Sequence, residues 1–113
     1  MIQYMVVDDS LILLKAWEYC HWAKNNIATF TSIEEALLAL KTLGPQLKIL
    51  VCDLTFPNTK REEVIAFLWK ARELTQATIW VSSLCECDPN LFIGLEPIEI
   101  VAKGPPKQEP ILF

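Results

Sequence analysis

The chain has 113 residues, of which 52% are apolar and 21% are charged, and its formal net charge is −4. This length fits one domain, and this composition is too apolar for a disordered chain. The acidic balance without a basic stripe argues against nucleic-acid binding, and no apolar run approaches the ~20 residues of a membrane-spanning helix.

The first half of the chain alternates short β-rich runs with helical runs. We predict a strand at 3–8, a helix at 10–25, a strand at 27–31 and a helix at 33–43. Ser10 is a good N-cap for the first helix, and Ser32 with Glu35 forms a capping box for the second. Gly44 stands at the C′ position, where glycine commonly ends a helix. The predicted buried face of the first helix consists of Leu13, Ala16, Trp17 and Cys20.

The second half continues the alternation and then breaks it. We predict strands at 47–53, 78–82 and 98–102, a helix at 60–74 that begins with the capping box Thr59–Glu62, and a weak helix at 88–94. The third strand is apolar from Ile49 to Cys52 without alternation, which is typical of a parallel strand covered on both faces. Three prolines within residues 104–113 argue against a further regular helix.

The order of the predicted elements indicates a doubly wound α/β domain with five parallel strands, because strands that alternate with helices are joined by right-handed crossovers. We assign residues 1–104 to this domain and residues 105–113 to a proline-rich C-terminal tail. Sheets of this type bind their ligands outside the carboxyl ends of the strands, where the strand order changes direction.

Polar and charged side chains follow the predicted strands at those ends. They are Asp8 and Asp9 after strand one, Asp53 at strand three, Ser82 at strand four and Lys103 after strand five. An aspartate at a strand end is by itself an ordinary turn residue. Three carboxylates that meet at one edge need a cation, and hard carboxylate oxygens suit Mg²⁺. An ammonium and a hydroxyl beside them could stabilise a phosphoryl group during transfer.

This ordered set resembles the receiver domain of two-component response regulators, and Pro57, four residues after Asp53, also matches that family. The resemblance implies a flavodoxin-like three-layer sandwich. It implies that Asp53 accepts a phosphoryl group from a histidine kinase or phosphotransfer protein, so that the chain is a signalling phosphoacceptor and not an enzyme in the usual sense. It also implies contacts of Ser82 and Lys103 with the phosphoryl group. The implied Mg²⁺ ligands are Asp8, Asp9, Asp53 and the backbone carbonyl of Thr55.

The sequence departs from the family pattern in several places. Lys103 is followed by Gly104 where the family has proline, Ile100 replaces an aromatic residue, Arg61 replaces a glycine, and the fifth helix is missing. These departures favour an alternative, a pseudo-receiver that binds partners without being phosphorylated. A phosphoaspartate-forming phosphohydrolase ranks last, because Thr55 stands where that class has a second acid. Loss of the fifth helix predicts an uncovered apolar surface beside the first helix and fifth strand, and hence a possible homodimer.

The N-terminus shows neither the basic start nor the cleavage site of a signal peptide, so we expect a cytoplasmic protein. In that reducing compartment we expect free thiols at Cys20, Cys52, Cys85 and Cys87. Among the tryptophans, Trp17 and Trp80 are predicted to lie in or beside the core. Trp22 and Trp69 fall off the apolar stripes, so we expect one of those two to be exposed.

Overall fold

The computed structural model describes residues 1–23, 25–83 and 87–110, and it contains one five-stranded parallel sheet. The strands are β1 (Tyr4–Val7), β2 (Ile27–Phe30), β3 (Ile49–Asp53), β4 (Thr78–Ser82) and β5 (Ile98–Val101), in the spatial order β2-β1-β3-β4-β5. The connecting helices are α1 (Leu11–Glu18), α2 (Ile33–Leu43) and α3 (Arg61–Leu74), with short 3₁₀ helices at Gly44–Gln46 and Pro89–Phe92. The predicted α/β class with a parallel sheet is confirmed.

Two separate apolar clusters contact the sheet. Because successive residues of a strand point to opposite faces, Met5 and Leu50 join one cluster while Val6 and Val51 join the other. The first cluster includes side chains of α2 and α3, and the second includes side chains of α1. Every residue of β3 is buried, which explains why its sequence is apolar without alternation.

Helix α1 is shorter than predicted and buries a different face. It ends at Glu18 instead of near residue 25, and its buried side chains are Leu14 and Trp17, whereas Ala16 is exposed. A two-turn helix can direct only a few side chains at the sheet. Leu14 and Trp17 bury more apolar area than Ala16 would, so the rotation of the helix favours the larger pair.

The helix starts follow from capping. The Ser10 hydroxyl accepts a hydrogen bond from the N–H of Leu13 at 3.3 Å, as predicted. The Ser32 hydroxyl accepts one from the N–H of Glu35, also at 3.3 Å. The third start lies one residue later than predicted, because a bridge between Phe56 and Thr59 holds Thr59 in the preceding turn. Lys60 is therefore the N-cap of α3.

Gly44 has a different role from the one predicted. Its φ is −49°, so it continues α2 into the 3₁₀ turn and does not adopt a left-handed conformation. A Cβ atom at this position would lie 2.2 Å from the carbonyl oxygen of Leu74. Glycine is needed here because the last residue of α3 packs directly against the backbone at the end of α2.

The region before β5 contains the expected short helical turn, capped by Asp88, whose carboxylate accepts the N–H of Asn90 at 3.0 Å. Residues 84–86, which precede this turn and include Cys85, lie outside the described residues. The other three cysteines are free thiols, as predicted. The cis peptide bond in the described residues is that between Glu96 and Pro97.

The expectation for the tryptophans is met. Trp69 is 45% exposed while Trp17 and Trp80 are buried, as predicted. Within the described parts of the chain, no helix has the length and apolar character needed to cross a membrane.

After β5 the described chain contains no helix and continues to residue 110 without regular secondary structure, with bends at 103–104 and 107–108. This segment lies against the turn that follows α1, where the indole N–H of Trp22 donates to the carbonyl of Pro106 at 2.9 Å. Part of the surface that was predicted to be open is therefore covered by the chain's own C-terminal residues. The prolines of this segment prevent a regular helix, so its backbone carbonyls can accept hydrogen bonds from side chains such as the Trp22 indole.

Candidate functional site

The candidate site lies at the carboxyl edge of the sheet, between β1 and β3. Asp8 directly follows β1, Asp53 is the last residue of β3, and Ser82 is the last residue of β4 and the register partner of Asp53. The chain leaves β1 toward β2 on one side and returns to β3 on the other, so this is the point at which the strand order changes direction.

Lys103 connects the two buried aspartates. Its Nζ lies 2.8 Å from Oδ2 of Asp8 and 2.9 Å from Oδ1 of Asp53. Each aspartate is only 4% exposed. Residues from three separated parts of the chain therefore meet in one ion-paired cluster, as the sequence predicted.

Backbone hydrogen bonds fix both carboxylates in place. Oδ1 of Asp8 accepts the N–H of Ser10 at 2.9 Å, which ties this carboxylate to the start of α1. Oδ1 of Asp53 accepts the N–H of Thr55 at 3.3 Å, which ties it to the loop that leads to α3. Each carboxylate is thus held by a backbone N–H of its own loop as well as by Lys103.

The cluster is short of positive charge. Burial raises the pKa of Asp53, and the neighbouring Lys103 only partly opposes that rise. Burial lowers the pKa of Lys103, but its contacts with Asp8 and Asp53 outweigh this effect and the net direction is upward. One ammonium against three carboxylates, including that of the adjacent Asp9, leaves an excess of negative charge that a further cation would offset.

The geometry of the carboxylates fits a metal ion. Asp8, Asp9 and Asp53 each offer an oxygen, and these atoms all lie within 4.8 Å of one another. Oxygens this close could contact one cation together after small side-chain movements, and carboxylates are hard ligands that suit a divalent cation. Asp9 is exposed, which leaves the cluster open to solvent on one side.

Ser82 and Thr55 border the cluster in different ways. Ser82 is buried beside Asp53, and its carbonyl accepts the N–H of Leu54 at 3.3 Å, which links β4 to the loop after β3. Thr55 is exposed and approaches Asp53 through its own N–H. Its carbonyl as a metal ligand stays a prediction.

Cys52 precedes Asp53 and is fully buried. Burial raises the pKa of its thiol, and the charges of Asp53 and Asp8 raise it further. Its S–H donates to the carbonyl of Asp53 at 3.1 Å. The thiol therefore stays protonated at neutral pH, and it fills space behind the site without acting as a nucleophile.

Sequence reasoning missed a cavity of about 390 Å³ that opens beside Asp9. Its walls come from the loop before α2, including Ser32, and from the loop after β3, including Pro57 and Asn58. Asn58 has a positive φ of 59°, which turns that loop back toward α3. The Pro57-Asn58 pair is a turn signal in the sequence, but the cavity depends on how far two distant loops stand apart.

No protein-family model matches the chain, and no curated protein matches it significantly.

Proposed function

We propose that the chain is a doubly wound, flavodoxin-like receiver domain that accepts a phosphoryl group on Asp53 in two-component signalling. The observation that carries the proposal is the bridge from Lys103 to Asp8 and Asp53, with the Asp9 carboxylate within reach. The cluster supports the proposal because it combines buried carboxylates, an ammonium and a candidate metal site at the point where the strand order of the parallel sheet changes direction.

The contacts favour Asp53 over Asp8 as the acceptor. Both oxygens of Asp8 are engaged, Oδ1 by the N–H of Ser10 and Oδ2 by Lys103. In Asp53 the contacts of Lys103 and of Thr55 both fall on Oδ1. We therefore assign the attack to its Oδ2, which the buried strand β3 positions at the edge of the sheet.

The transfer is a displacement at phosphorus. Oδ2 of Asp53 attacks the phosphoryl group of a phosphohistidine, the P–N bond breaks, and the imidazole leaves with the electron pair. Lys103 then pairs with a phosphoryl oxygen and the Ser82 hydroxyl donates to another. Mg²⁺ held by Asp8, Asp9, Asp53 and the carbonyl of Thr55 would supply the remaining positive charge. Water later attacks the phosphorus and returns the free carboxylate and inorganic phosphate.

This chemistry defines the partners. The donor is a histidine kinase or a phosphotransfer protein, and we place the encounter in the cytoplasm. The cavity beside Asp9 gives a donor side chain room next to the carboxylates. The chain is then a phosphoacceptor that assists its own phosphorylation with the help of Mg²⁺. It is not an enzyme that converts a separate substrate.

A second candidate is the pseudo-receiver, which uses the same fold without phosphorylation. The observation that favours it is the pair of contacts from Lys103 to Asp8 and Asp53, which a purely structural ion-paired cluster would also make. In addition, Ile100 on β5 is 46% exposed and lacks the aromatic ring that the family resemblance would place there.

The two candidates are separated by the intact mass of the protein after incubation with acetyl phosphate and Mg²⁺. The receiver proposal expects one phosphoryl adduct, which is absent in Asp53→Asn and absent in EDTA. Glu73→Gln is the matched control, because Glu73 is an exposed carboxylate near the end of α3. An adduct that persists in Asp53→Asn contradicts the assignment, and no adduct from acetyl phosphate or any kinase favours the pseudo-receiver.

A further inference from the structure

Residues 104–110, called the tail from here on, comprise Gly104 and the described part of the proline-rich segment 105–113. The tail contacts a set of mainly aromatic side chains. We call the contacted side chains Tyr4, Cys20 and Trp22 the tail groove, and Trp17 packs against Trp22. The carbonyl of Pro106 accepts the indole N–H of Trp22 at 2.9 Å and lies 4.0 Å from the Cys20 sulfur. The Tyr4 hydroxyl donates to the carboxylate of Glu109.

The aromatic rings of the tail groove pack edge to face against one another. The rings of Tyr4 and Trp22 meet edge to face with centroids 5.3 Å apart, and those of Trp17 and Trp22 do so at 6.0 Å. Tyr4 is 2% exposed, so its ring is fixed by the core beneath it. An aromatic floor with an indole donor is the chemistry that recognises extended proline-containing segments, whose carbonyls are free and whose backbone is already restricted.

The carboxylate of Glu109 provides a second point of recognition, three residues beyond Pro106. Burial and the neighbouring carboxylate raise the pKa of Tyr4 to about 12, so the phenol remains a donor at neutral pH. Lys48 lines the same small pocket as Tyr4 and Glu109 and adds a positive charge beside it. The groove therefore binds a proline carbonyl and, three residues later, an acidic side chain.

The tail leaves the body of the domain at a residue suited to a hinge. Gly104 has a φ of +97°, and no atom lies within 4 Å of the place where its Cβ would stand. Lys107 and Gln108 between the two recognition points are exposed. The tail is thus held mainly by its contacts in the groove, as a peptide ligand would be.

We propose that the tail groove is a binding site for a proline-containing acidic segment, and that its partner between molecules is the tail of a second copy of this chain. Every copy carries the matching segment, and reciprocal exchange of tails closes a two-fold dimer with the same contacts on both sides. The attached tail competes at an effective concentration in the millimolar range, so exchange becomes appreciable only at high protein concentration. This proposal is independent of phosphorylation at Asp53.

A labelled peptide with the sequence of residues 104–110 tests the groove directly, with anisotropy as the readout and the full chain as receptor. Glu109→Gln in the full chain weakens its own tail, so we expect this variant to bind the peptide about tenfold more tightly than the wild type. Trp22→Phe in addition to Glu109→Gln should reverse that gain. Trp69→Phe is the matched control, because Trp69 lies on α3 and contacts Gly94, away from the groove.

Sedimentation equilibrium of the full chain tests the second copy as the partner. We expect a reversible dimer that grows toward millimolar concentration and is lost when residues 104–113 are deleted. Because the closed monomer and the exchanged dimer make the same tail contacts, the dissociation constant of the dimer should be similar in the wild type, Trp22→Phe and Trp69→Phe. No peptide binding to the Glu109→Gln chain at millimolar peptide overturns the groove. A chain that binds the peptide but stays monomeric throughout this range overturns the exchange and indicates a different protein as the partner.

Discussion

At the scale of single residues, the cluster of Asp8, Asp9, Asp53 and Lys103 combines binding capacity with a cost in stability. Burial raises the pKa of Asp53 even though Lys103 lies 2.9 Å away. The folded state therefore prefers the protonated carboxyl group, and ionised Asp53 lowers the free energy of unfolding at neutral pH. Such unfavourable charge is typical of positions kept for chemistry.

We predict that Asp53→Asn stabilises the metal-free protein at neutral pH by on the order of 1 kcal/mol. A raised pKa in the folded state gives stability that is full below the unfolded pKa and lost as pH rises through the folded pKa. The advantage of Asp53→Asn should therefore grow as pH rises from acid toward neutral. Thermal unfolding in EDTA across this range measures it, with Glu73→Gln as the control. A lower melting temperature for Asp53→Asn at pH 7 contradicts the prediction.

Binding of a metal ion to the cluster should stabilise the folded protein, in contrast to the destabilising effect of ionised Asp53. A cation that binds only the folded cluster raises the free energy of unfolding by about 2.7 kcal/mol at a hundred times its dissociation constant. We expect Mg²⁺ to raise the melting temperature of the wild type and to have little effect on Asp9→Asn or Asp53→Asn. Removal of the metal with EDTA should return the wild type to its starting value. An equal response to Mg²⁺ in all three proteins would place the ion elsewhere.

At the scale of elements, Arg72 joins the end of α3 to the loops on both sides of β4. Its guanidinium donates to four backbone carbonyls, those of Thr75, Ala77, Leu95 and Pro97, at 2.9 to 3.1 Å. These bonds hold the segment before β5 against the start of β4. They therefore help to set the direction in which β5 carries Lys103 toward the site.

We predict that Arg72→Met lowers the free energy of unfolding by about 2–3 kcal/mol, because charge-assisted bonds are lost and buried carbonyls lose their donor. Urea denaturation measures the change, and an unchanged m-value would show that the denatured state is unaffected. Arg61→Met is the control, since Arg61 is exposed in the first turn of α3. Equal effects of the two substitutions would contradict the role given to Arg72.

The elements also show which features can be predicted from sequence. β4 was predicted with its observed bounds and β3 with its observed end, because strands buried on both faces leave an unbroken apolar pattern. The predicted length of α1 was wrong. The apolar residues that continue past Glu18 lie in the turn after the helix, where they pack into the same apolar cluster as Leu14 and Trp17. The role of Gly44 was also wrong, because its close contact with Leu74 is made across 30 residues and leaves no local signal.

At the scale of the whole molecule, the site was more predictable than the tail. The sequence was enough to predict the cluster of Asp8, Asp53 and Lys103, because the carboxyl ends of parallel strands all lie at one edge of the sheet. The course of the tail depends on bonds such as Trp22 to Pro106 and Tyr4 to Glu109, which span 84 and 105 residues of chain. No periodicity within the tail indicates those partners, so the sequence predicted an open surface where the tail lies.

The most direct measurement of the central claim is reductive trapping of the acyl phosphate, followed by mass spectrometry of the peptide that contains residue 53. After incubation with acetyl phosphate and Mg²⁺, borohydride reduces an aspartyl phosphate and marks the residue that carried it. The account predicts one marked residue, Asp53, and none when EDTA replaces Mg²⁺. A mark on Asp8 or Asp9, or an equal mark on Asp53 in EDTA, would contradict it.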